Sequence, residues 1–158
     1  MVVSNIQNIV YCIMEEEVMK QSLMERLEIL ESADLIDADV FAFCEKVVNY
    51  FLEKTSEWPQ ENMEIFITHL AMAASRSKKG EAEETLDDSI KTALKQEEIY
   101  SEAKTILDHI LGFTTIHFPD SEVDLLLVHI CTLCKKEGRI SNENCNWRYA
   151  KKRNGFCD

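Results

Sequence analysis

Apolar residues recur at helical intervals along most of this chain, and little interrupts them. Four glycines and two prolines punctuate 158 residues, too few turn-formers for a sandwich or barrel of many short strands. Hydrophobic residues at 46% and charged residues at 29% supply a packed core and rule out wholesale disorder. No apolar run approaches the roughly 18 residues a membrane span needs, and the start, MVVSNIQN, lacks the basic region and cleavage site of an export signal.

The periodicity resolves into five amphipathic segments. Over 15–31, Met19, Leu23, Leu27 and Leu30 form one stripe. The preceding run at 9–14 is continuously apolar and fits either an early helix turn or a short strand. A second helix is expected from Asp37 as N-cap, carrying Val40, Cys44, Val47, Val48 and Phe51, and stopping before Trp58-Pro59. A third is expected over 60–77, closed by Lys78-Lys79-Gly80. Residues 81–96 are acidic and weakly apolar, with one helical turn near 90–94 at most. A fourth helix at 97–111 ends at Gly112, and a fifth runs from Asp120 or Ser121 to Glu137 and ends at Gly138. Short connections between such helices imply an all-α, five-helix bundle, with residues 1–138 as the domain and 139–158 as a separate tail.

Charge and cysteine use narrow the function classes. The chain carries 17 basic and 29 acidic residues, a net −12, which argues against a general nucleic-acid surface. From Lys135 onward the net is +4, including Trp147-Arg148-Tyr149 and Lys151-Lys152-Arg153, which leaves the body at −16. Six cysteines in 158 residues are not the dense framework of a secreted module, and a cytoplasmic location is expected.

Aligning the third and fifth helices on His69 and His129 exposes a common pattern. At offsets −6, −3, −2, +1, +4 and +5 the third helix has Met63, Phe66, Ile67, Leu70, Ala73 and Ala74. The fifth has Val123, Leu126, Leu127, Ile130, Leu133 and Cys134. Each set forms one stripe, with its histidine roughly 100° from the centre, at the border between core and water. A cation follows each histidine by seven residues, Arg76 or Lys136, and Asn62 or Glu122 precedes it by seven.

These residues carry a resemblance. Ile67-Thr68-His69-Leu70-Ala71-Met72-Ala73-Ala74-Ser75-Arg76 resembles the first histidine motif of the PTS regulation domain, or PRD. Glu122-Val123-Asp124-Leu125-Leu126-Leu127-Val128-His129-Ile130 resembles the second. The resemblance covers roughly residues 12–137. It implies a helical, non-enzymatic regulatory domain that accepts phosphoryl groups on histidine from the phosphotransferase system's phosphocarrier or sugar-specific EIIB component. By that carry-over His69 and His129 are the phosphoacceptors, and Arg76 and Glu122 match the motif's basic and acidic supports. A homodimer and a separate transcription regulator are the implied partners, with no cofactor, metal, membrane or direct nucleic-acid contact. The family often has Asp before the first histidine where Thr68 stands here. The length leaves no room for an output module, so a stand-alone domain is expected.

Three other readings start from different residues. A protein-interaction module whose histidines are not phosphorylated fits the same pattern. Cys131, Cys134, Cys145 and Cys157 offer four thiols for zinc, but a C-x-x-C inside a helix is not a zinc knuckle. Asp108 and His109 point about 100° apart on a helix and cannot form a catalytic dyad.

Overall fold

The computed structural model describes residues 2–54 and 58–136, with side chains from Asn5 to Lys135. They form six helices, and no strand is found among the described residues. These are α1 (Val2–Ser32), α2 (Ala38–Lys54), α3 (Gln60–Lys78), α4 (Asp88–Lys95), α5 (Tyr100–Leu111) and α6 (Asp120–Lys136). The fold is therefore all-α, as the periodicity predicts, with one helix beyond the expected five. The additional element is α4, in the segment where the sequence suggests one turn at most. The 9–14 run is helical and belongs to an α1 that begins well before residue 15. The 139–158 tail, with Cys145 and Cys157, lies outside the described residues.

Local chemistry accounts for the boundaries. Asp37 accepts the Val40 backbone N–H at 2.9 Å and caps α2. Pro59 precedes α3 and supplies the carbonyl that accepts from the Met63 N–H at 3.0 Å. α3 ends in a Schellman motif. Gly80 takes φ +73°, its N–H reaches the Ser77 carbonyl at 3.2 Å, and the Glu81 N–H reaches the Arg76 carbonyl at 2.9 Å. Asp87 caps α4 through the Ser89 N–H at 2.8 Å. α4 buries no side chain, which is why it carries no apolar stripe in the sequence.

α3 is the central helix, packed against α1 and α2 on one side and α6 on the other, and α5 packs on α6. The two stripes aligned on His69 and His129 enter the core: eleven of the twelve positions are buried, and Val123 is half-buried. Phe66 is fully buried and meets Phe51 edge-on at 5.3 Å, and Phe51 also meets Trp58 edge-on. The Trp58 indole N–H is satisfied by the Phe51 carbonyl at 2.8 Å.

Phe66→Ala removes the aromatic hub of this core. Urea unfolding should show a loss of about 3–5 kcal/mol, with the denaturant slope unchanged.

Candidate functional site

α3 and α6 pack antiparallel, and two cross-helix pairs mark their register. The His69 and His129 rings stack with centroids 4.4 Å apart and planes 20° from parallel. Seven residues further along α3 and seven residues back along α6, Arg76 meets Glu122. The Arg76 Nε donates to Oε1 at 2.8 Å and an Nη to Oε2 at 3.1 Å. Seven residues are close to two turns, or about 10.5 Å of rise, so one spacing carried on both helices brings both pairs into register together.

The charged pair is built for its place. Glu122 is 1% exposed, Arg76 23%. A buried carboxylate requires its acceptors to be filled, and Glu122 has a third donor, the Glu83 backbone N–H at 3.0 Å. The Schellman turn at Gly80 makes that contact possible by sending the chain back across the end of α6. Glu122 lies in the first turn of α6 and Arg76 in the last turn of α3, so each charge complements its own helix dipole. Burial alone raises the Glu122 pKa, but the Arg76 hydrogen bonds and the Glu83 amide outweigh it and hold the carboxyl below its ordinary value. The guanidinium's fork is therefore engaged with Glu122, with the Glu83 carboxylate 3.6 Å from its remaining nitrogen.

The histidines lie at the rim of the interface, His69 exposed and His129 half-buried. Burial, and secondarily the neighbouring His69, pushes the His129 pKa down to about 4, so its imidazole is neutral at physiological pH. Stacking uses the ring faces, whereas nitrogen lone pairs lie in the ring planes. Among the described residues no hydrogen bond engages either ring's nitrogens. Two nucleophilic rings thus share one solvent-facing edge.

The remaining singled-out residues have other surroundings. Thr68 donates to the Glu64 carbonyl at 2.8 Å and accepts from Arg26 of α1 at 3.5 Å. Arg26 pairs with the Glu64 carboxylate at 3.2 Å. Asp108 pairs with Lys104 rather than His109, and the His109 ring lies tilted against Tyr50 with centroids 4.8 Å apart. His117 is exposed in the α5–α6 connection. Cys131 and Cys134 are buried in the core, and burial pushes the Cys131 thiol up to about 11, away from the thiolate that ligates metal. The Arg76–Glu122 contact does not emerge from periodicity along either helix. Its signal in the sequence is two seven-residue spacings running in opposite senses on two helices.

The PRD domain family model matches residues 44–132, more than half of the chain and all four of these positions. The chain belongs to the PRD family. PRDs are phosphorylation domains under phosphotransferase-system control, regulatory rather than catalytic. No curated protein and no solved structure matches the chain.

The geometry of this PRD makes the charged pair and the histidine stack separately testable. Arg76→Met strands a buried carboxylate and should cost about 3–5 kcal/mol in chemical denaturation, most of it recovered in Arg76→Met/Glu122→Leu. The stack is tested by pH. Between pH 6.5 and about 4, unfolded His129 binds a proton that the folded ring refuses, so stability falls as pH drops through that window. With solvent screening of a half-buried ring discounted, the loss should be on the order of 2 kcal/mol, and it should flatten in His129→Phe. Glu122, with its depressed pKa, adds a further loss below the ordinary carboxyl value of 4.5.

Proposed function

We propose that this PRD is a phosphorylation-responsive regulator whose acceptors are His69 and His129, loaded by the phosphotransferase system's phosphocarrier or its sugar-specific EIIB component in the cytoplasm. One observation carries the reading: the two motif histidines stack at 4.4 Å on an edge open to solvent, where a whole protein can dock. A neutral imidazole is a competent nucleophile. Its lone pair forms the new N–P bond as the donor's N–P or S–P bond breaks, and transfer between proteins needs positioning and charge stabilisation more than further chemistry.

The consequence of loading is electrostatic. A phosphoryl group brings close to two negative charges onto a stacked pair, reverses the local preference for a neutral His129, and resists a second phosphate beside it. Arg76 is the motif's cation, and drawing it toward phosphate would leave Glu122 buried without its partner. Arg76 lies about two turns, roughly 10 Å, from the rings, so a phosphate competes with Glu122 for the guanidinium only through a bend or shift of α6 on α3. A second copy or a separate transcription regulator reads that shift.

Thr68, in the place where the family often has Asp, favours a second reading, an interaction module that is not phosphorylated. Incubation with phosphoenolpyruvate, the general phosphotransferase proteins and the sugar-specific component, followed by mass spectrometry, separates the two. Phosphate on the His69 or His129 peptide, lost in the matching alanine variant, is the expected result. Unmodified histidines alongside fully phosphorylated donors would establish the interaction module instead.

A further inference from the structure

The first half of α1 has no use inside its own domain. Every side chain from Asn5 to Val18 is exposed, and burial begins only at Met19. Yet 2–14 contains no charged residue, and large apolar groups stand in water: Ile6 57% exposed, Ile9 44%, Val10 49%, Ile13 56% and Met14 61%. At 100° per residue these fall on one arc, centred roughly a third of a turn from the Met19–Leu23–Leu27 face that packs on the body. The arc therefore points away from the core rather than extending it. A charge-free helix rich in β-branched residues is a poor helix former alone, so its helicity calls for a covering surface.

We infer that this stripe is a self-association surface, on which two copies of the chain pair α1 against α1 in antiparallel fashion. The sequence itself points to a second copy. Ile6-x-x-Ile9-Val10-x-x-Ile13 reads with the same spacing in both directions, so a two-fold axis between residues 9 and 10 sets Ile6 against Ile13 and Ile9 against Val10 of its mate. That self-complementarity is what an isologous contact requires. Charge selects the orientation. Parallel pairing would stack Glu15-Glu16-Glu17 on its own copy, whereas antiparallel pairing sets it against the uncharged 2–4. The five side chains present roughly 500 Å² per copy, so covering the whole stripe on both copies brings the pair to the roughly 1,000 Å² at which specific interfaces begin. A membrane surface is a poor occupant, because Lys20 is the first basic residue and the three glutamates repel anionic lipid.

Sedimentation equilibrium of the full-length, unphosphorylated protein tests this without any phosphotransferase component, so it is independent of the histidine reading. The mass at tens of micromolar should be twice 18.3 kDa. Ile6→Glu and Ile13→Lys should each raise the dissociation constant at least tenfold, with the thermal midpoint of the body unchanged because both positions are exposed. An equimolar mixture of the two variants should regain the dimer, since an antiparallel pair sets the introduced carboxylate of one chain beside the introduced ammonium of the other. A monomeric wild type, variants that dimerise as before, or a mixture that stays monomeric would each overturn the proposal.

Discussion

The buried Arg76–Glu122 pair is the constraint on which the rest of the site depends. Such a pair is a weak source of net stability, because desolvation offsets much of the attraction. Its value lies in register. A slide of one turn, about 5.4 Å, would still set apolar side chains of α3 against apolar side chains of α6. The charges do not permit it, since a slide leaves a carboxylate at 1% exposure without its bidentate partner. By excluding neighbouring registers, the pair places His69 against His129 two turns away. The Schellman turn at Gly80 and the Glu83 amide complete the carboxylate's set of donors, so a loop with no apolar stripe still has a structural role.

Burial and proximity act in the same direction on His129. Removing part of the His129 ring from water disfavours its charged form, and a second imidazole stacked at 4.4 Å disfavours it further. The resting site is thus uncharged on the His129 side, while the charges of Arg76 and Glu122 neutralise each other in their pair. A doubly negative group arriving there would meet little competing charge at the rings and a cation already engaged two turns away. That arrangement makes the site sensitive to added charge in a way that two isolated surface histidines would not be.

Helix identity and face are legible in the sequence because they are local: a 100° periodicity, an Asp37 cap, a Lys-Lys-Gly stop. The edge position of both histidines follows from the same arithmetic. What periodicity along one helix does not contain is the phase between helices. The two seven-residue spacings are visible in the sequence, yet read along a single helix they relate Arg76 only to its own histidine and never to Glu122 across the interface. α4 is faint in the sequence because it buries no side chain fully: Leu94 packs half-buried against the core, and the Asp87 cap and the Lys91–Asp124 contact at 3.3 Å hold the rest. The start of α1 is ambiguous for the opposite reason. Its apolar residues are plentiful, but they face no part of their own domain, so no single stripe joins them to the core-facing residues that follow.

α3 joins these features physically. One side carries the histidine that stacks on α6, and the adjacent residue, Thr68, touches Arg26 of α1. Arg26 in turn shares Glu64 with Ser22 and Gln60. An acidic residue at 68 would tie α1 to this point by a second ion pair. Thr68 contributes a single long hydrogen bond, so α1 is seated mainly by Met19, Leu23 and Leu27 in the core. α1 and α3 are thus joined beside the histidine by packing together with the Arg26–Glu64 ion pair. α1 is also the helix whose free half presents a palindromic apolar stripe to solution. The histidine edge and that stripe lie on helices that share α3 as a common neighbour, which is the contiguity that coupling between two such surfaces would need.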